Sequence, residues 1–393
     1  MKRDGNSIIR TGRLCTGMLS VALLLAGPTA EAGGTRPGHV RLRHGGAGRI
    51  CQSPPAPAVG KTTADEAGPA FSDPTQQVVM PEAWRHRPIR HAPWAAGAEL
   101  AVTLDQHLFP LLRPAIAAFA RDHHASIAVQ NGTCGVSAGA LSRKQVDIGG
   151  FCCPPGPQDR LPGLQFHTLG IAAIAVVVNR ANPLRDVSLS QVRGLFSGRI
   201  YQWSRVTDAD GRRGADLPVH PITRLHCKER PGHWRLLLEN EDRFGPRDIE
   251  VGTIGDMMRR IATDPAAIGF ETLWNITRYR VAGRVRALSI NGVSPRDGHA
   301  LSQGRYPLYR TFDVTTWSDG NAAPLAEALV RQLKMAVRNG PARYHVVPAA
   351  VLRSNGWRFR GDELVGAPAE ALRSPVTSRR HRRDAIALAG ARR

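Results

Sequence analysis

The run GIAAIAVVVN (Gly170 to Asn179) contains no charged residue and no alternation of apolar with polar side chains. A strand with one wet face would alternate, so this run must be covered on both faces. That requirement calls for helices packed on a largely parallel sheet, and the flanking chain supplies them. LAVTL (Leu100 to Leu104) reads as a strand and LFPLLRPAIAAFARDH (Leu108 to His123) as a helix with apolar residues at helical spacing. SIAVQ (Ser126 to Gln130) is a second strand, NGTCGVSAGALSRKQ is a Gly-rich loop opening a helix, and VDIGGF (Val146 to Phe151) is a third strand. Strands alternating with helices predict an α/β architecture.

The chain has 393 residues, enough for two ordinary cores. Its start reads as an export signal, residues 1–32. Lys2, Arg3, Arg10 and Arg13 form a basic segment, MLSVALLLAG supplies the apolar stretch, and the small residues of AEA mark cleavage near Ala32. The apolar stretch falls short of the roughly 20 residues that span a bilayer. No cysteine follows it closely, so no lipid anchor is expected. The expectation is a secreted or periplasmic protein that does not span the membrane. Residues 33–97, rich in Gly, Pro, Ala and Arg, read as a disordered leader, and residues 351–393 as a basic, disordered tail.

The formal charge of +21 raises the question of nucleic acid. Only Lys2, Lys61, Lys144, Lys228 and Lys334 are lysines among 53 basic residues, so the excess is an arginine bias spread along the chain. No basic stripe interleaved with aromatics and no zinc-finger spacing occurs, and specific nucleic-acid binding is not expected.

The order of features becomes specific at NRANPLRDVSLSQVRGLFSGRIYQWSRV (Asn179 to Val206): an apolar strand ends at Asn-Pro, a Ser-capped helix follows, then LFSG, Ile and Trp. DPAAIGFETL (Asp264 to Leu273), VRALSINGVSP (Val285 to Pro295) and LSQGRYPLYRTFDVTT (Leu301 to Thr316) follow in order. This succession resembles the phosphate-type solute-binding proteins of bacterial ABC importers across residues 98–350. The resemblance implies two α/β lobes joined by two crossing strands, with lobe 1 formed by residues 98–178 and 275–350 and lobe 2 by 179–274. It also implies a small oxyanion such as phosphate held between the lobes, and an ABC permease as partner.

Family members hold the anion with helix N-termini, hydroxyls and an arginine, chemistry that suits the partial positive charge of a helix start. On the matching positions here, Thr133, Gly135 and Ser137 are the lobe-1 candidates and Arg224 and Lys228 the lobe-2 candidates. The ligand loops nevertheless depart from the pattern. Asp105, Gln106 and His107 stand where a hydroxyl is favoured. Phe151 and Cys152 replace a serine and a polar residue, and Cys227, Lys228, Glu229 and Arg230 replace a small Gly-Ser run. With Arg224 and Lys228 carrying the anion, binding should rely more on formal charge.

Cys15 leaves with the signal, so Cys51, Cys134, Cys152, Cys153 and Cys227 remain, an odd number. Three readings stay open. Cys134 and Cys152 or Cys153 can brace lobe 1 as a disulfide, as export favours. Cys134, Cys152, Cys153, Cys227, His107 and His226 can supply a soft-metal site for copper or zinc. A thiol beside Arg224, Lys228 and Arg230 can be activated for thiol chemistry. His123 and His124 read as a solvated helix end, and Trp203 and Trp274 as packing residues. No nucleophile elbow, zinc-protease motif or pair of catalytic carboxylates is present, so catalysis is not expected. The main expectation is a solute-binding protein. The alternatives are metal or thiol chemistry on the same scaffold, or a ligand-free interaction surface.

Overall fold

The computed structural model describes residues 6–8, 71–224, 237–238, 243–279, 281, 283–340 and 342–369. Most of the expected signal and leader, the tail from 370, and the segment carrying His226, Cys227 and Lys228 lie outside the described residues.

One sheet runs through the molecule. Its first half holds β2 (Leu100–Asp105) at the centre, parallel to β3 (Ile127–Gly132) on one side and β4 (Ile148–Phe151) on the other. A short β1 (Asn6–Ile8), within the expected export signal, adds antiparallel to the outer edge of β3. Two long strands continue the sheet: β5 (Leu164–Asn179) and, paired antiparallel between β4 and β5, β12 (Tyr309–Trp317). Beyond β5 come β9 (Ala267–Thr272), β7 (His220–Thr223) and β8 (Ile249–Glu250). β10 (Val285–Ala287) and β13 (Val346–Pro348) also pair with β5, whereas β6 (Asp186–Val187) with β11 (Ser289–Ile290) and β14 (Arg358–Arg360) with β15 (Glu363–Gly366) form small separate ladders.

The helices are α1 (Glu82–Arg85), α2 (Phe109–Asp122), α3 (Cys134–Ser142), α4 (Leu189–Phe196), α5 (Ile254–Thr263), α6 (Leu273–Arg278), α7 (Gly298–Ser302), α8 (Ala323–Arg338) and α9 (Ala349–Ser354). Several carry their start signals in the sequence. Ser188 caps α4 in a reciprocal box with Gln191, and Thr253 accepts the Asp256 N–H at the start of α5. α2 contains Pro114, which cannot donate to the Pro110 carbonyl one turn back; the Tyr344 hydroxyl donates to that carbonyl instead, at 2.9 Å.

Two hydrophobic cores result, joined by the long strands. One gathers Leu104, Ile116, Phe151, Phe312 and Leu329; the other gathers Val176, Phe196, Ile222, Met257 and Ile268. Within β12, Tyr309 belongs to the second core and Trp317 to the first, and β5 likewise passes from one to the other. These are the two crossing strands of the expected two-lobe fold. At Gly170 the backbones of β5 and β13 approach so closely that a Cβ would lie 2.4 Å from the Val347 carbonyl oxygen, which only glycine avoids.

Three boundaries differ from expectation. Packed structure begins at residue 71 rather than 98, because Trp84 is buried and its indole N–H donates to the Ser142 carbonyl at 2.6 Å. It continues past 350 through α9, β14 and β15, held by a buried bidentate pair between Arg160 and Glu363 at 2.7 and 3.2 Å. Finally, Val285, Leu288, Ile290, Leu301 and Tyr306 pack in the second core, not the first, because β10 extends the far half of β5 and β11 pairs with β6. All three depend on contacts distant in sequence, which a low-contrast Gly- and Arg-rich stretch does not announce.

Candidate functional site

The carboxyl ends of β2, β4, β7 and β9 converge where the two cores meet, the place where open α/β sheets bind ligands. β2 ends in Asp105. Its Oδ1 accepts the His107 backbone N–H at 2.8 Å and faces His107 Nδ1 at 2.7 Å, which turns the imidazole toward the other lobe. There His107 Nε2 meets Glu271 Oε1, at the end of β9, at 2.9 Å. Both partners are carboxyl oxygens, so the ring bridges two acidic side chains.

Glu271 is fully buried, and its oxygens are surrounded by donors. Oε1 also accepts the Thr272 backbone N–H at 2.7 Å and lies 3.9 Å from Arg310 Nη2, while Oε2 lies 3.6 Å from Arg224 Nη1. Burial alone would raise the Glu271 carboxyl. The charge and hydrogen bond of His107, with the charges of Arg310 and Arg224, outweigh it and hold the group well below its ordinary range. Two carboxylates, two guanidiniums and one imidazole thus share this buried cluster.

Sulfur forms the adjoining wall. Arg310 Nη1 donates to Cys152 Sγ at 3.3 Å, and Cys134 Sγ lies 3.4 Å from Cys152 Sγ, 3.8 Å from Cys153 Sγ and 3.7 Å from Asp105 Oδ2. All three thiols are buried and none is in a disulfide. Burial raises Cys152 well above the ordinary thiol range. Cys134 is raised too, the lowering effect of the Cys152 contact being outweighed by the Cys153 contact and by burial. Buried thiols of this kind are poor nucleophiles, so the geometry does not favour thiol chemistry. For Arg310, burial opposes the charge, but Cys152, Glu271 and Asp105 favour it more, and its pKa is raised.

The structure thus brings His107, Cys134, Cys152, Cys153 and Arg224 together. The expected disulfide between Cys134 and Cys152 or Cys153 is absent. Cys134 Sγ lies 3.4 Å from Cys152 Sγ and 3.8 Å from Cys153 Sγ, well beyond the roughly 2.05 Å of an S–S bond. Thr133 caps α3, its hydroxyl accepting the Val136 N–H at 3.3 Å; Gly135 lies in the first turn, and Ser137 is buried with its hydroxyl 3.5 Å from the Thr103 carbonyl. Lys228, Cys227 and His226 fall outside the described residues. Glu271 and Arg310 were not singled out from the sequence, although Glu271 directly follows the AIGF strand signal and Arg310 closes GRYPLYR.

A second chain of polar groups lies away from this centre. Asp362 Oδ2 is 3.0 Å from His167 Nδ1, and His167 Nε2 is 2.8 Å from Thr316 Oγ1. The order acid, imidazole, hydroxyl resembles a hydrolase relay, but Thr316 is buried within β12 and offers no reachable nucleophile. His167 and Asp362 instead line a charged cavity of about 690 Å³ with Arg160, Arg353 and Arg360. Among the described residues no helix is long and apolar enough to cross a membrane.

Two cores bridged by β5 and β12, with a polar centre at the strand ends between them, define a two-lobe solute-binding fold. The family model for the PBP superfamily domain matches residues 91–331, and the chain belongs to that superfamily. It is 24% identical over 244 residues to the phosphate-binding protein PstS of Bacillus subtilis (strain 168), covering 61% of this chain and 76% of that one. Among solved structures, an ABC-type phosphate transport receptor from Vibrio cholerae superposes with a TM-score of 0.52 at 19% identity, covering 63% of this chain and 99% of the other. A substrate-binding protein from Clostridium perfringens, solved with bound phosphate, gives 0.53 at 14% identity over 64% and 99%.

Proposed function

We propose that this chain is an exported receptor that captures phosphate or a related oxyanion between its lobes for uptake through an ABC-type permease, without catalysis. The observation that carries the reading is the coordination of Glu271. His107, Arg224, Arg310 and the Thr272 amide already surround a buried oxyanion, the glutamate's own carboxylate. Guanidinium and imidazole donors that hold a carboxylate suit phosphate equally well in charge and hydrogen bonding. Arg224 enters from the second lobe and His107 from the first, so an anion contacting both favours the closed arrangement. The solute must displace or share the donors now on Glu271, which lowers its affinity relative to a site without an internal carboxylate.

Titration calorimetry of the full chain with phosphate and with sulfate tests this reading. Saturable binding of phosphate, weakened roughly 10- to 100-fold in Arg224→Ala as expected for loss of a charge-assisted contact, supports it. Heat that is absent for both anions, or binding indifferent to Arg224, rejects it. The ligand-free scaffold would then be the better description. The cluster of sulfur beside the same cleft favours a second activity, metal binding.

A further inference from the structure

We propose that Cys134, Cys152, Cys153 and Asp105 form a binding site for one divalent soft metal ion, with zinc as the best match. The inference does not require oxyanion capture, although the two sites adjoin at Arg310 and at the Asp105 to His107 contact.

Cys134 Sγ is the hub. Three candidate ligand atoms surround it: Cys152 Sγ at 3.4 Å, Asp105 Oδ2 at 3.7 Å and Cys153 Sγ at 3.8 Å. Around a tetrahedral zinc, with bonds near 2.3 Å to sulfur and about 2.0 Å to oxygen, neighbouring ligand atoms lie roughly 3.5–3.8 Å apart. Each distance from the hub is therefore close to one edge of such a tetrahedron, whereas hydroxyls or carbonyls packed at random would not be sulfur-rich. Asp105, His107 and Cys152 also present ligand atoms within 4.8 Å of one another, all buried.

Charge selects the ion. Three thiolates and the Asp105 carboxylate around a divalent cation leave two net negative charges, and the Arg310 guanidinium, 3.3 Å from Cys152 Sγ, is placed to balance one of them. A monovalent copper ion would leave one charge more uncompensated in a buried site, which is costly. Cys134 opens α3, where the helix dipole stabilises negative charge and offsets part of the cost of deprotonating a buried thiol. Asp105 uses its other oxygen on His107, so the imidazole orients a ligand from outside the coordination sphere, as partners of metal ligands commonly do.

The test is a cobalt titration of the reduced full chain under anaerobic conditions, followed by displacement with zinc. The expected result is one equivalent of cobalt with an intense sulfur-to-metal charge-transfer band and the visible bands of a tetrahedral centre, bleached by one equivalent of zinc. Cys134→Ser and Cys152→Ser are expected to weaken cobalt binding at least tenfold. Arg310→Met, which keeps all the ligands, is expected to weaken it less. Circular dichroism checks folding, and in parallel the metal content of folded wild-type protein is read directly after zinc loading and desalting. Absence of the charge-transfer band, a zinc content below about 0.2 equivalents, or unchanged cobalt affinity in folded Cys134→Ser would each overturn the site.

Discussion

His107 of the first lobe and Glu271 of the second meet at 2.9 Å, both buried, and form a direct hydrogen-bonded link across the cleft. The link holds the lobes together by the same contacts a bound solute would make, so Glu271 acts as a resident anion. Removing its charge takes a buried acceptor away from His107, Arg224 and Arg310. Glu271→Gln is expected to lower the unfolding free energy by about 3 kcal/mol, the scale for breaking one side of a buried pair. Added phosphate should restore part of that loss in the variant and stabilise wild type less. Urea denaturation with and without phosphate checks both halves of the expectation.

Asp313 sets a pH dependence of opposite direction to Glu271. Burial raises the Asp313 carboxyl to about 7, against hydrogen bonds from the Thr168 and Thr311 hydroxyls that lower it. The folded state therefore holds this proton more tightly than the unfolded chain, whose aspartates titrate near about 3.9. Its contribution is complete below about pH 4 and is lost as pH rises to about 7, at no more than about 1.4 kcal/mol per pH unit. Glu271, held low, contributes above about pH 4.3 and loses that contribution as pH falls further. Thermal denaturation should show the Asp313→Asn variant gaining on wild type between about pH 5 and about pH 7. An advantage that stays constant with pH would remove Asp313 as the source.

The metal-free, reduced thiols should resist alkylation in the folded protein. Cys134, Cys152 and Cys153 are all buried, and both Cys134 and Cys152 are raised above the ordinary thiol range. Peptide mapping after iodoacetamide treatment at neutral pH is expected to find these three unmodified in native protein and fully modified in denaturant. Rapid native labelling of Cys152 would contradict the sealed cleft.

Trp84 anchors the segment before β2. Its ring packs 6.1 Å from Trp317, lies beneath the Lys144 ammonium at 4.6 Å, and donates to the Ser142 carbonyl. Trp84→Ala is expected to cost about 3–5 kcal/mol, the range for losing a buried aromatic. A denaturation midpoint unchanged from wild type would return residues 71–97 to the status of a linker.

Trp84 also illustrates what the sequence could and could not reveal. Strong periodic segments were legible: the run from Gly170 became the far part of β5, Leu108 to His123 became α2 within a residue at each end, and Ser188 caps α4 as expected. β5 begins earlier, at Leu164, because Gln165, His167 and Thr168 break the apolar run while still pairing with β12. In the site, His107, Cys134 and Cys152 stood out because they interrupt a recognisable pattern, and Arg224 because it fits one. Glu271 and Arg310 did not, since the partners that give them meaning lie far away in sequence: 164 residues separate His107 from Glu271, and 158 separate Arg310 from Cys152. An isolated tryptophan in a Gly- and Arg-rich stretch carries no periodicity at all.

β5 and β12 are ladder neighbours along nearly the whole crossing, from the Leu164 and Trp317 pair to the Ala173 and Tyr309 pair. Parting the lobes must therefore twist a two-stranded ribbon, since sliding would break its hydrogen bonds, and must also hydrate the ions gathered at Glu271. If the chain captures solute as proposed, its resting form is the shut one. Solute then enters through a rarely visited open form, and the observed capture rate is expected to level off at the opening rate as solute concentration rises.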